Sequence, residues 1–211
     1  MTDAVLFDFD GTLFFGTARL NVHCFSRVLE AMGRPPLTGA DWTVGLTLPD
    51  ICQRLLGGAS DDIVQPFARS VMSFVPEYIE ANVQPDPVLT DMLRRLSGVA
   101  RLAVVSNADE AYLEPMLAAL GVRRLFDRVW AHRPGYSKAV AILEVLGDLG
   151  ARRAVMVGDR AEDVEAGRIN GLMTIGIRNP AFPDEVSSAD RVVENHRQMG
   201  RAVCALLKRG G

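Results

Sequence analysis

Cysteine is scarce in this 211-residue chain: Cys24, Cys52 and Cys204 lie far apart, and none belongs to a CxxC pair. That spacing excludes a disulfide framework and a thiolate zinc site, and it leaves buried thiols in a reducing compartment as the expectation. No stretch supplies the ~18 uninterrupted apolar residues of a membrane span. The chain meets an acid at Asp3, with no basic segment followed by a long apolar one, so a secretory signal is not expected and the cytoplasm is the expected location. Charge of one sign is missing too. A formal net charge of -3 with both signs interspersed argues against nucleic acid or an anionic membrane as the main partner. With 48% hydrophobic and 23% charged residues, the chain can bury one full core and a smaller second one.

What is present is a series of short apolar runs, each closed by a Gly, Asn or Asp turn: AVLFDF (4–9), RLAVVSN (101–107), RVWA (128–131), RAVMVGD (153–159), MTIGI (173–177) and RVVEN (191–195). Their hydrophobicity is continuous rather than alternating, which marks strands buried on both faces, as in a parallel sheet covered by helices. Between them, EAYLEPMLAALG, SKAVAILEVLGDLG and EDVEAGRINGL carry apolar residues at three- and four-residue spacing. This β-α-β repetition predicts an α/β fold built on a doubly wound parallel sheet. Residues 15–85 break the rhythm. ARLNVHCFSRVLEAMG, LPDICQRLLGG and SDDIVQPFARSVMSFVPEYIEAN read as amphipathic helices with no strand between them, a run too long for a simple crossover. The expectation is a core of residues 1–14 and 86–211 carrying a helical insert, 15–85, with the region of Pro85 and Pro87 as the return linker. The closing LLKRGG reads as a helix end.

Ligands of such sheets bind beyond the carboxyl ends of the strands, and the unusual residues fall there. VLFDFDGTLF sets Asp8 and Asp10 at the end of the first run, Ser106 and Asn107 end the second, and Asp159 ends the fourth. Alternate residues of an extended chain share a side, so Asp8 and Asp10 repel each other. A hard divalent cation such as Mg2+ removes that conflict, and a carboxylate that binds it can still attack phosphorus. The second carboxyl can hand a proton to the leaving oxygen and take one from water. Gly11 permits a tight turn and close backbone approach to an anion, and Thr12 adds a hydroxyl. Ser106 and Asn107 precede a helix, where a hydroxyl and open N–H groups can hold a phosphoryl oxygen or simply cap the helix. Lys138 stands at a helix start, where the dipole disfavours a cation; it can neutralise nucleophile and phosphoryl group together, or face solvent. In VMVGDRAEDVEAG, Asp163 follows Asp159 by about one helical turn, so that one acid can bind the cation while the other binds through water or holds Lys138.

With these segments in this order, the sequence resembles the haloacid dehalogenase-like hydrolases: FDFDGTLF is similar to their first motif, VVSNA to the second, Lys138 to the third and VGDRAED to the acidic fourth. The insert resembles a C1-type cap, and SKAVAILEVLGDLGARRAVMVGDRAEDVEAGRINGLMTIGI resembles the phosphoglycolate phosphatase-like group, with β-phosphoglucomutase-like members as the neighbouring group. The resemblance implies a Rossmann-like core and Mg2+-dependent hydrolysis of a small phosphorylated metabolite, with Asp8 as nucleophile and Asp10 as general acid and base. It implies phosphate binding by Ser106 and Lys138, with Gly11, Thr12 and Asn107 beside them. Mg2+ would be held by the Asp8 carboxylate, the Asp10 main-chain carbonyl and Asp159, supported by Asp163.

A phosphomutase, or a non-catalytic binding protein on the same fold, is the competing reading. Phosphonate cleavage through a cap lysine is not expected, because residues 15–85 contain no lysine. Two departures from the family pattern stand out. Ser137-Lys138-Ala139 replaces a Lys-Pro continuation, with Arg133 as a nearby substitute cation, and Phe14-Phe15-Gly16-Thr17 replaces an Asp-Ser pair. Arg19, His23, Trp42 and the segment TVGLTLPD around Gly45 are the insert's candidates for specificity. Monomer and homodimer are both compatible with this reading.

Overall fold

The computed structural model describes residues 2–43 and 46–208. The chain divides into two compact units, one formed by residues up to Phe15 and from Gln84 onward, the other by Gly16–Val83. The second unit is helical: α1 (Thr17–Ala31), α2 (Leu48–Leu56) and α3 (Asp61–Asn82). In α1, Leu20, Cys24, Phe25, Val28 and Leu29 recur at three- and four-residue spacing and form its buried stripe, facing Val64, Phe67, Val71 and Val75 of α3. The rings of Phe25 and Phe67 lie 5.5 Å apart across that seam.

All six apolar runs are strands: β1 (Thr2–Phe7), β2 (Arg101–Val105), β3 (Arg128–Trp130), β4 (Ala151–Gly158), β5 (Met173–Ile177) and β6 (Arg191–Val193). They form one parallel sheet in the order β3-β2-β1-β4-β5-β6. The helices of this unit are α4 (Pro87–Ser97), α5 (Glu110–Ala119), α6 (Lys138–Leu149), α7 (Ala161–Ile169) and α8 (His196–Lys208). Local signals set their starts: the Asp86 carboxylate accepts the Val88 N–H ahead of α4, and the Ser137 hydroxyl accepts the Val140 N–H ahead of α6. The C-terminal Arg209, Gly210 and Gly211 lie outside the described residues, so the helix end expected in LLKRGG is seen only as far as Lys208. Among the described residues, no helix is long and apolar enough to cross a membrane.

Continuous hydrophobicity is needed because both faces of the sheet are covered. Ala4 and Leu6 of β1, Ala103 and Val105 of β2, and Ala154 and Met156 of β4 pack with Ala141, Ile142 and Val145 of α6 and Ala166 of α7. The intervening Val5, Phe7, Val104 and Val155 are equally buried, turned to the other face by the two-residue repeat of a strand. The chain runs outward from β1 to β3, then returns through α6 to place β4 on the other side of β1. Connections leave β1 and β4 in opposite directions, which opens a crevice at their carboxyl ends. Phe7 pairs with Val104 on one side and Val157 on the other, so Asp8 leaves the sheet opposite Val105 and Gly158, with Ser106 and Asp159 one residue further on at the same edge.

Neighbouring residues of α6 test this layering. Ile142 is fully enclosed whereas Leu143 is 64% exposed. Ile142→Ala should destabilise by about 2–5 kcal/mol and Leu143→Ala by less than about 0.5 kcal/mol in urea unfolding.

Candidate active site

The β1 strand ladder runs one residue past Phe7, the Asp8 N–H donating to the Val157 carbonyl at 2.8 Å, and the chain then folds back on itself. The Phe9 carbonyl accepts from the amides of Leu13 and Phe14, and the Gly11 N–H donates to the Phe14 carbonyl. Gly11 adopts φ 77°, and a Cβ there would stand 2.0 Å from Asp159 Oδ2, so both the turn and the approach of the two motifs require a residue without a side chain. Gly158 serves the second approach: a Cβ at this position would lie 2.2 Å from the Asp163 carboxyl carbon.

Asp8, Asp159 and Asp163 thereby bring carboxylate oxygens within 4.8 Å of one another, all three side chains buried. Lys138, 4% exposed, sends its ammonium into this cluster and donates to Asp8 Oδ1 at 3.0 Å and Asp163 Oδ1 at 2.5 Å. The second oxygen of Asp163 accepts the Arg160 N–H. Burial opposes the Lys138 charge, but Asp163 and Asp8 outweigh it and hold its pKa above the ordinary lysine value. Burial pushes the Asp8 carboxyl well up; Lys138 works against that, while Asp163, Asp159 and Asp10 add to it. Asp159 is raised to about 7, chiefly by burial, although Asn179 partly offsets this by donating to its Oδ2 at 2.7 Å.

One ammonium among three carboxylates leaves two negative charges uncompensated when all three are ionised. Asp159 Oδ1 is buried and has no hydrogen-bond partner among the described residues. A surplus of two charges, an orphaned oxygen and an all-oxygen donor set fit a hard divalent cation.

The remaining sequence candidates take distinct places. Ser106 is buried at the tip of β2 with its hydroxyl accepting the Ala108 N–H, whereas the Asn107 amide donates outward to Glu162 at 2.9 Å. The Thr12 hydroxyl is buried without a partner among the described residues. Arg133 pairs with Glu144 and lies over the Trp130 ring, so the cation at the carboxylates is Lys138. In the helical unit, Arg19 is exposed, His23 faces Glu77 at 3.7 Å, and Trp42 carries the Arg54 guanidinium 4.6 Å above its ring. Val44 and Gly45 lie outside the described residues.

Three contacts at this site had no signal in the sequence. The Tyr112 hydroxyl donates to Asp10 Oδ1 at 2.8 Å, Asn179 holds Asp159, and the His196 Nε2–H donates to the Thr12 carbonyl at 2.9 Å. They come from the first turn of α5, the loop after β5 and the start of α8, each far from its partner along the chain. A tyrosine in an amphipathic helix, an asparagine in a turn and a histidine before a helix are all ordinary there.

A family profile described as haloacid dehalogenase-like hydrolase matches residues 5–177. The chain belongs to that family. It is 26% identical over 213 residues to a phosphoglycolate phosphatase of Pseudomonas putida, covering 92% of this chain and 77% of that one. It is also 28% identical over 208 residues to a plasmid-encoded phosphoglycolate phosphatase of Cupriavidus necator, covering 91% and 89%. Among solved structures, a haloacid dehalogenase-like family protein of Streptococcus pneumoniae superposes with a TM-score of 0.76 at 21% identity, over 95% of this chain and 98% of that one. CbbY of Rhodobacter sphaeroides in complex with phosphate gives 0.78 at 22%, over 95% and 97%.

Asp159 makes stability depend on pH with a definite sign. Its folded pKa of about 7 lies above its ordinary 3.8, so the metal-free folded state holds the proton more tightly than the unfolded chain. Stability therefore falls as pH rises from about 4 to 7, by on the order of 4 kcal/mol, and stays low above 7. In chelator at pH 8, Asp159→Asn should melt several °C above wild type, the gap narrowing at pH 5. A saturating divalent cation should raise the Tm of wild type and not that of the variant. A variant less stable than wild type at pH 8 in chelator would contradict this account.

Proposed function

We propose that this protein is a Mg2+-dependent phosphatase that hydrolyses a small phosphate monoester through an aspartyl-phosphate on Asp8. The single observation that carries the reading is the buried cluster of Asp8, Asp159 and Asp163 around Lys138 at the carboxyl edge of the sheet, one loop turn from Asp10. Phosphoglycolate phosphatases among its relatives support a small phosphorylated metabolite as the substrate class, whether phosphoglycolate-like, a sugar phosphate or a nucleotide.

The Asp8 carboxylate, the Asp10 main-chain carbonyl and Asp159 would hold Mg2+, with Asp163 in support through Lys138. Bound there, the cation offsets the surplus negative charge and polarises the phosphoryl group. Lys138 orients Asp8 and adds positive charge where the phosphoryl oxygens gather; the Ser106 hydroxyl and the backbone around Gly11 and Thr12 supply hydrogen bonds to them. An Asp8 oxygen attacks phosphorus, the bond from phosphorus to the ester oxygen breaks, and Asp10 gives its proton to the departing alkoxide. Asp10, now ionised, takes a proton from water as that water attacks phosphorus. The bond to Asp8 breaks, releasing orthophosphate and restoring both acids.

Residues 15–85 are read as a C1-type cap that selects the leaving group, a role that rests on their position between the first and second motifs. Free thiols at Cys24, Cys52 and Cys204 suit the cytoplasm.

Incubation with Mg2+ and a panel of phosphoglycolate, sugar phosphates, nucleotides and amino-acid phosphates tests the reading. Phosphate should be released from at least one ester, release should stop in EDTA, and Asp8→Asn should lower kcat by at least about a thousandfold. Equal turnover by Asp8→Asn would sink the assignment, isomer formation without phosphate release would indicate a mutase, and inertness towards every ester would favour a binding role.

A further inference from the structure

The loop that carries Asp10 is braced by a residue from another element. Phe9, fully buried, meets the edge of the Tyr112 ring at 5.8 Å and an interplanar angle of 84°, and it stacks on the Phe14 ring at 6.0 Å. Tyr112 is 8% exposed in the first turn of α5, so packing fixes its ring and leaves the hydroxyl little freedom. That hydroxyl donates to Asp10 Oδ1 at 2.8 Å across a sequence separation of 102 residues.

We infer that Tyr112 is a positioning residue for proton transfer: its hydroxyl holds Oδ1 of Asp10 as a permanent acceptor, so that the proton exchanged with substrate travels on Oδ2. The inference rests on the proposed role of Asp10 as general acid and base. A phenol at Oδ1 suits both states of that acid. It donates to a carboxylate oxygen when Asp10 is ionised and to the carbonyl-like oxygen when Oδ2 carries the proton. The plane of the carboxyl therefore stays the same through the donation to the leaving alkoxide and the later withdrawal from water, and neither step waits for the side chain to rotate. α5 also follows directly from the β2 tip that carries Ser106, so one strand-helix junction supplies both a phosphate-side hydroxyl and the brace for the acid.

Tyr112→Phe keeps the ring and its packing against Phe9 and removes only the hydroxyl. The comparison uses kcat/KM, which reports the steps up to departure of the alcohol, for two esters with Mg2+: an alkyl phosphate that the panel identifies as a substrate, and p-nitrophenyl phosphate, whose leaving group departs without needing a proton. With an unchanged melting temperature, Tyr112→Phe should lose roughly tenfold on the alkyl ester and less than about twofold on the aryl ester, and Asp10→Asn should show the same asymmetry more strongly. Equal losses on both esters, or no loss on either, would overturn the role of Tyr112. Asp8→Asn separates the underlying reading: if that variant is silent on both esters, a symmetric Tyr112→Phe result counts against Tyr112 alone. If Asp8→Asn matches wild type, the phosphatase reading fails and the role of Tyr112 fails with it.

Discussion

Lys138 reaches from the first turn of α6 to the carboxyl edge of the sheet, where its ammonium touches Asp8 and Asp163 at once. At that depth a carboxylate without a partner is costly, and a lysine without one equally so. Each group is tolerable because the other is present. The contact also joins three segments that the sequence keeps far apart: the end of β1, the start of α6 and the first turn of α7. A cation at a helix start runs against the helix dipole, and the local penalty is accepted because two carboxylates stand within reach. The same arrangement leaves charge unbalanced at Asp159, the member of the cluster that Lys138 does not contact. The site is therefore stable enough to persist and still short of positive charge.

The approach of these segments depends as much on missing atoms as on present ones. Gly11 lies where any side chain would strike Asp159 of the opposite motif, and Gly158 where one would strike Asp163 as its own motif folds back. A sheet that changes winding direction between β1 and β4 supplies the crevice, and the two glycines let its walls come close enough for carboxylates from different strands to share one small volume. Asn179 then ties Asp159 from the loop after β5, and His196 ties the Thr12 carbonyl from the start of α8. The floor of the site is thus fixed from the β5-β6 side of the sheet.

The strands and helices of the core were legible because the signals are local. A strand covered on both faces must be apolar at every position, and VLF, LAVV and VMV are; helices of the cover must repeat their apolar residues every three or four positions, and SKAVAILEVL does. The acids at strand ends were legible for the related reason that charged residues directly after a buried run need an explanation. Between the two cations near the third motif, the sequence left the choice open. Lys138 and Arg133 are five residues apart, and only the turn that buries one and leaves the other beside Glu144 separates them.

By itself the sequence determined the α/β class, the six strands, the interruption by a helical segment and the positions where chemistry-bearing residues leave the sheet, since each follows from the order of side chains along a short stretch. Tertiary structure alone decided which side chains meet. Tyr112 on Asp10, Asn179 on Asp159 and His196 on Thr12 join residues 20 to 184 positions apart. Such a contact depends on the winding of the sheet and the register of its strands, and no window of sequence contains both partners.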